Sequence, residues 1–462
     1  MLSRRDLVWG YTAQVLNIGL GLIMLPVIVR YMTTSEVGLW FVFVTIAGLA
    51  QLLELGFQPT LARNISYVYA GAQTLAAQGL HNNANGALNL PLLADLVAAS
   101  RLIYQWITLL AALLLLVGGT WYISSLLQKE QNFITILAGW CAFVLGNLIN
   151  FYYGYLNAFL QGRGDVTEAN KVIIASRSIQ VLLGVTMVVM GFGLLGLGLA
   201  SLLSTIVSRV LARQYVYSPQ HPEMHGLIET TDGMKRVTRI IWHNAIRFGV
   251  VLIGVFLIWR ANILIASSSL GLADAASYGL AIQIFFLLNT VASVPFNLSL
   301  PKLNAYRAQN RQDDVYRSFS TTMATALIIY ITASLMVLLI GNYFLTFIGS
   351  STKLPNNYIL SGMVVVFLLE INHGTCANFI TTGNKIPFVL AAIITGCCIV
   401  TGSIILAPII GISGLVISQG LVQVVYNNWK WPLEVSKIFN VPYYKVILDG
   451  FVLLKNRTLS AL

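Results

Sequence analysis

The sequence predicts an all-α, polytopic membrane protein of about twelve transmembrane helices arranged as two six-helix bundles, on three observations. Of 462 residues, 57% are hydrophobic and 9% charged, against roughly 25% charged in an average soluble domain. With a mean hydropathy of +0.78, a water-soluble globule would lack the polar side chains to cover its surface. Apolar segments of about 20 residues or more, enough to cross a hydrocarbon core of about 30 Å as helices, recur along the chain. Finally, the chain repeats itself.

In order, the spans are expected near 7–29, 38–62, 102–127, 133–158, 172–192, 194–216, 245–268, 277–300, 321–347, 358–381, 386–408 and 410–429. The start MLSRRD before an apolar run resembles a signal peptide. The run is too long, however, and lacks a small-x-small site before Arg30, so it reads as a retained first span. With Arg4 and Arg5 inside, the inner face collects Arg63, Arg101, Arg163, Lys171, Arg177, Arg209, Arg213, Lys235, Arg236, Arg239, Arg247, Lys302, Arg307, Arg311, Arg317 and Lys385, and a tail with Lys430, Lys437, Lys445, Lys455 and Arg457. The opposite face keeps Arg30, Lys129 and Lys353. The positive-inside rule then puts both termini in the cytoplasm. The net charge of +11 is mostly this topological signal plus affinity for anionic membrane lipids, and it implies no nucleic-acid partner. Cys141, Cys376, Cys397 and Cys398 all fall in expected spans, with neither a disulfide framework nor zinc spacing.

Three pairs of segments carry the repeat. Ser35-Glu-Val-Gly38-Leu39 recurs as Ala276-Ser-Tyr-Gly279-Leu280, and Asn157-Ala-Phe-Leu-Gln-Gly162 as Asn378-Phe-Ile-Thr-Thr-Gly383. Gly193-x-x-Gly196-Leu-x-Leu-Ala200 recurs as Gly411-x-x-Gly414-Leu-x-Ile-Ser418. All keep their order at a separation of roughly 220 to 240 residues. The expected organisation is an N-terminal bundle over 1–216, a cytoplasmic linker over 217–244, a C-terminal bundle over 245–429 and a cytoplasmic tail over 430–462. Six spans per repeat make the two repeats parallel, as in several alternating-access carriers. The long loops, 63–101 and 217–244, are both cytoplasmic. Outer loops are short, which argues against polymerases and ligases of lipid-linked glycans.

An ionisable residue at bilayer depth costs at least about 2.5–3.5 kcal/mol, so each is a functional hypothesis. Glu54, Arg260 and Glu370 lie near the middle of their spans. Gln51, Glu54 and Gln58 are spaced to share a helix face, with Pro59 loosening the ladder beside them, and Glu370 and His373 are neighbours across one turn. Amides and phenols concentrate in spans 1, 2, 4, 7, 8 and 10, which should therefore face a central aqueous cleft. The plainer alternatives are that intramembrane Asn, Ser and Tyr act as helix-helix glue and that Glu54 forms a structural ion pair with an arginine. Arg260, with no acid in its own segment, calls for an anion. Arg30 and Arg63 sit near span ends, where snorkelling also accounts for them. Three motifs are decoys: Gly191-Phe-Gly193-Leu-Leu-Gly196 has no strand before it and reads as a tight turn, His221-Pro-Glu-Met-His225 reads as a solvated loop, and Glu370-x-x-His373 lacks the second copy a di-iron site needs. No set of nucleophile, base and orienter appears, so no enzyme, cofactor or metal is expected.

LPVIVRYMTTSEVGLWFVF, LLELGFQPTLARNISYVYAGA and LNAFLQGRGDVTEANKV resemble the bacterial flippases for lipid-linked O-antigen and other polysaccharide repeat units, of the multidrug/oligosaccharidyl-lipid/polysaccharide exporter superfamily. The likeness is densest from Leu2 to Lys171 and holds in layout beyond it. It implies two six-helix bundles around a V-shaped cleft in the bacterial inner membrane, moving an undecaprenyl-diphosphate-linked oligosaccharide from the cytoplasmic to the periplasmic leaflet. On that reading Arg260 meets the diphosphate with a forked, permanently charged group, and Trp259, Tyr152 and Tyr155 offer sugar-stacking platforms. Arg63, Arg101, Lys302 and Arg307 gather the headgroup at the cytoplasmic mouth. Glu54 and Glu370, with His373, alternate between pairing with Arg260 and taking up H+ or Na+. Expected partners are the polymerase and chain-length regulator of the same pathway. Lipid II flippases of the superfamily carry arginines in the first helix where this chain has Gln14 and Asn17, which argues against that substrate. The alternative is a multidrug antiporter for organic cations, whose cleft should be acidic and aromatic.

Overall fold

The computed structural model describes residues 4–54, 56–75, 87–127, 132–383 and 388–461. The regular elements there are helices. The first nine are α1 (Arg4–Tyr31), α2 (Thr34–Gln51), α3 (Phe57–Tyr69), α4 (Leu90–Ala112), α5 (Thr120–Leu126), α6 (Phe133–Tyr152), α7 (Tyr155–Arg163), α8 (Val166–Val189) and α9 (Gly193–Val216). The next nine are α10 (Thr231–Trp259), α11 (Ala261–Ser269), α12 (Leu272–Ala308), α13 (Gln312–Phe347), α14 (Asn357–Thr381), α15 (Val389–Ile410), α16 (Ile412–Val425), α17 (Asn427–Phe439) and α18 (Tyr443–Ala461). Ten helical stretches among the described residues are long and apolar enough to cross a membrane, and the chain is a multi-pass membrane protein. The expected first span falls on α1, although the side chains of Gln14 and Asn17, like all of Lys129 and Lys385, lie outside the described residues. The twelfth is shorter than expected: α16 holds 14 residues and stops at Tyr426 (φ −137°, ψ −62°), before α17.

Local chemistry sets the ends. Thr33 caps α2 through a capping box, its amide donating to Glu36 Oε2 at 2.9 Å. Asn89 and Asn356 cap α4 and α14 through their side-chain oxygens at 3.0 Å. The G-x-G-x-x-G stretch is the tight turn the sequence predicts, with Gly191 at φ 87° and Gly193 at φ 47°, which only glycine adopts freely. Gly411, at φ 66°, opens α16 in the matching place of the second repeat.

The chain divides into two compact units, residues 1–253 and 254–462. In the first, α6 and α9 approach backbone to backbone, because a Cβ on Gly198 would overlap the Gly139 carbonyl. The loop expected over 63–101 is shorter, since α3 runs to Tyr69 and α4 begins at Leu90. The segment 217–244 is also more structured than a linker. Helix α10 begins at Thr231, where the buried Asp95 of α4 accepts from the Thr230 amide (3.2 Å) and hydroxyl (2.7 Å). A carboxylate there satisfies free N–H groups and opposes the helix dipole. In the second unit the expected tail is helical too, over α17 and α18 as far as Ala461. Tyr316 on α13 donates to Asp449 on α18 at 2.6 Å, and Gly450 lies against the Ser320 backbone.

Candidate functional site

Helix breaks at membrane depth place the polar groups. Helix α10 ends at Trp259, Arg260 takes φ −119° and ψ −34°, and α11 restarts at Ala261. The Arg260 guanidinium lies 5.5 Å from the centroid of the Phe286 ring. Trp259 meets Phe286 at 5.9 Å and Phe367 at 5.2 Å, and Phe367 stacks on Phe285 at 5.1 Å. Ion pairs of this unit among the described residues include Arg311–Asp314, His373–Glu370, Lys430–Glu434 and Lys437–Glu434. Arg260 belongs to none of them. Beside it, Asn262 is buried, donates to the Tyr278 hydroxyl at 3.4 Å, and leaves its Oδ1 without a partner.

In the first unit α2 ends at Gln51, Leu52–Glu54 tightens into a 3₁₀ turn, and α3 starts at Phe57. This corrects the expectation of one bent helix with Gln51, Glu54 and Gln58 on a common face. Pro59 sits in the first turn of α3, where its missing N–H costs no helical bond. Glu54 Oε1 accepts from the hydroxyl of the fully buried Tyr104 at 2.6 Å. Behind this pair the buried Arg209 of α9 acts electrostatically on both. Arg209 also donates to Asn150 and, at 3.3 Å, to the Tyr153 carbonyl, which accepts from the Leu156 amide at 3.1 Å as well where α6 gives way to α7. Helix breaks at membrane depth persist when such groups are re-satisfied. The carboxylate therefore answers to Tyr104 and Arg209 within its own unit.

Glu370 is buried on α14. Its Oε1 faces His373 Nε2 at 3.6 Å, and its Oε2 accepts from Gln423 of α16 at 2.9 Å. His373 Nδ1 lies 2.9 Å from the Leu369 carbonyl and 2.8 Å from Asn428 Oδ1. Gln423 Oε1 accepts from Asn427, which also donates to Thr395 (3.1 Å) and accepts from Trp431 (3.0 Å).

The remaining expected residues separate. Tyr152 is 41% exposed, edge-on to Tyr153, whereas Tyr155 is 7% exposed and packed against Tyr104 and Phe159, which covers it as a stacking surface. Arg63 and Lys302 are exposed. Arg101 is engaged, pairing with Glu229 at 2.9 Å and donating to Tyr217 at 3.0 Å. Arg307 lies over the Phe379 ring at 4.4 Å, with Nη2 buried and without a partner. The His221–His225 stretch is a docked turn and not a free solvated loop: Tyr69 donates to Glu223 at 3.0 Å, and Met224 is buried.

Sequence reasoning missed Arg209, Gln423, Asn427 and Asn428. Arg209 was assigned to the cytoplasmic face with Arg213, although an arginine one turn deeper in IVSRVLAR is signal enough for a buried role. The others lie in the expected twelfth span, 410–429, which falls outside the set expected to face the cleft. Among the described residues no group of three or more His, Cys, Asp or Glu side chains could hold a metal ion.

No family model and no curated protein matches the chain. Solved structures do. A multidrug resistance MATE family transporter of the MOP superfamily, inward-facing, aligns with TM-score 0.65 at 13% identity over 94% of this chain and 98% of that one. The lipid II flippase MurJ, in an inward closed conformation, aligns with TM-score 0.63 at 11% identity over 100% of this chain and 93% of that one. A MOP superfamily transporter from Pyrococcus furiosus, whose binding pocket is described as having reverse polarity, aligns with TM-score 0.50 at 13% identity over 94% and 95%. The chain therefore has the fold of these transporters. At such identities a shared fold leaves the substrate to the site.

Proposed function

We propose that the chain is a flippase that moves an undecaprenyl-diphosphate-linked oligosaccharide from the cytoplasmic to the periplasmic leaflet of the bacterial inner membrane. The observation that carries this reading is Arg260: a cation at membrane depth, at a helix break, outside the ion pairs given above and set in an aromatic cluster. A desolvated guanidinium binds a diphosphate through charge-assisted, forked hydrogen bonds, and Trp259 beside it offers a sugar a ring face. Arg63, Lys302 and Arg307 serve as headgroup contacts on the cytoplasmic side. Ion coupling runs through Glu370 and His373, with Glu54 as the second carboxylate.

Organic-cation export is the competing reading, and the MATE likeness gives it equal standing on fold. It requires carboxylates free to meet a cation. Glu54 and Glu370 are instead engaged by donors inside their own units. Complementation of a bacterium lacking its own O-antigen flippase tests the choice. Restored surface polysaccharide that disappears in Arg260→Ala at matched expression supports the flippase; resistance to cationic dyes that disappears in Glu54→Gln or Glu370→Gln transfers the function to the antiporter reading.

A further inference from the structure

We infer that the ion bound at Glu370 is a proton, held between Glu370 and His373 and positioned there by a one-way hydrogen-bond chain from α17. The inference rests on the ion-coupled part of the proposed function and names its ion. The chain begins at Trp431, whose indole N–H only donates. It points at Asn427 Oδ1 from 3.0 Å, so the Asn427 amide nitrogen must face the other way, toward Thr395 Oγ1 and Gln423 Oε1 at 3.1 and 2.8 Å. With its oxygen thus engaged, Gln423 presents its NH2 group to Glu370 Oε2 at 2.9 Å. Each amide orientation follows from a donor that has no alternative, so the direction does not depend on telling oxygen from nitrogen by position.

The imidazole is fixed in the same way. Nδ1 faces the Leu369 carbonyl, an acceptor only, so Nδ1 carries the hydrogen and Nε2 is the nitrogen left to exchange one. Nε2 faces Glu370 Oε1 at 3.6 Å, longer than a formed hydrogen bond. One proton belongs in that gap. On His373 it makes an imidazolium beside a carboxylate; on Glu370 it makes an O–H directed at the ring. Loading adds one H+ and takes the pair from −1 to neutral, and release restores −1. A hard metal cation wants several oxygen ligands, whereas Glu370 is met here by an amide NH2 and a ring nitrogen. The groups that α12, α13, α16 and α17 turn toward Glu370 include no second carboxylate and no lysine or arginine among the described residues, and its ion-pair partner there is His373. Cys376, further along α14, donates a hydrogen bond to the hydroxyl of Tyr443 on α18 at 3.2 Å, and that hydroxyl donates to Asn372 Oδ1.

The test is difference infrared spectroscopy of the purified full-length protein in lipid nanodiscs, without glycan. It follows the protonated carboxyl band from about pH 4 to about pH 9 in sodium-free buffer. Wild type should show a titrating band that is absent in Glu370→Gln and kept in Glu54→Gln, and a large excess of sodium at fixed pH should leave it in place. Trp431→Phe removes the donor that orients the chain and lets Gln423 turn its oxygen to Glu370, so the midpoint should move upward by about one pH unit. His373→Gln should also move it, which keeps the test open if Trp431→Phe does not fold. Loss of the band on adding sodium, or an unchanged spectrum in Glu370→Gln, overturns the proton site; a midpoint unmoved in well-folded Trp431→Phe overturns the positioning chain. The readout needs no substrate. An intact titration with failed complementation sinks the flippase reading alone, and complementation without a Glu370 band sinks this inference alone.

Discussion

Arg209 and Arg260 are two arginines at membrane depth, each beside a helix break, and they differ in what surrounds them. In the first unit the break between α6 and α7 leaves the Tyr153 carbonyl, which accepts from the Leu156 amide, within reach of a side chain. Arg209 binds it, binds Asn150, and acts on Glu54. In the second unit the break between α10 and α11 carries the arginine itself, and what faces Arg260 is the Phe286 ring. The same guanidinium is thus a structural tie in one place and an available cation in the other. Position in the membrane does not separate the two roles; the partners do.

That contrast can be broken most directly through stability. Arg209→Ala should cost about 3 kcal/mol, because it takes a buried guanidinium away from the Asn150 amide oxygen and from the Glu54 carboxylate, while Arg260→Ala should leave the detergent-solubilised melting temperature nearly unchanged. If the two variants melt alike, the distinction falls. The next effect is in transport. Arg260→Lys keeps the charge and loses the fork, so it should retain surface polysaccharide but reduce it by about tenfold, a loss of about 1.4 kcal/mol in substrate contact. Equal activity of lysine and arginine would mean that charge alone matters there. A smaller effect belongs to the aromatics. Trp259→Ala should lower the yield several-fold, as expected when one stacking face is lost, and Tyr155→Phe should not, since Tyr155 is covered by Tyr104 and Phe159.

The helical, multi-pass fold was legible because its signal is additive: apolar length and charge bias accumulate over dozens of residues, and no single one decides. The site was legible only in part. Arg260, Glu54 and Glu370 stand out because an ionisable residue in an apolar run is conspicuous alone. Arg209 is more buried than Glu54 or Arg260, yet it stands only one turn from Arg213 and reads with the cytoplasmic cluster unless that turn of depth is given weight. Gln423, Asn427 and Trp431 were illegible for another reason. Their meaning lies in the direction of hydrogen bonds between α14, α16 and α17, and one-letter spacing carries no direction. The break at Leu52–Glu54 was missed because helical periodicity was carried through a proline that instead opens a new helix.

The weakest expected effect lies outside the membrane, in the docked turn at Pro222–Met224, and it tests whether this turn is held as firmly as the membrane-depth ties. Burial pushes the Glu223 carboxyl up, but its backbone hydrogen bond, the Tyr69 hydroxyl and His221 at 3.1 Å outweigh that and hold it below the usual carboxylate range. A carboxyl depressed on docking stabilises the docked form at pH values above its ordinary range, and the contribution disappears as pH falls through the lowered value. Amide exchange over 218–226 should therefore be protected at neutral pH and accelerate below about pH 4. Glu223→Gln keeps a side-chain oxygen for Tyr69 and removes the titration, so its exchange should lose this step once the intrinsic pH dependence of exchange is divided out. The change should stay below about tenfold, because opening one surface turn costs little. A step of the same size in both proteins would assign the acid sensitivity elsewhere in the unit and leave Glu223 as an ordinary surface contact.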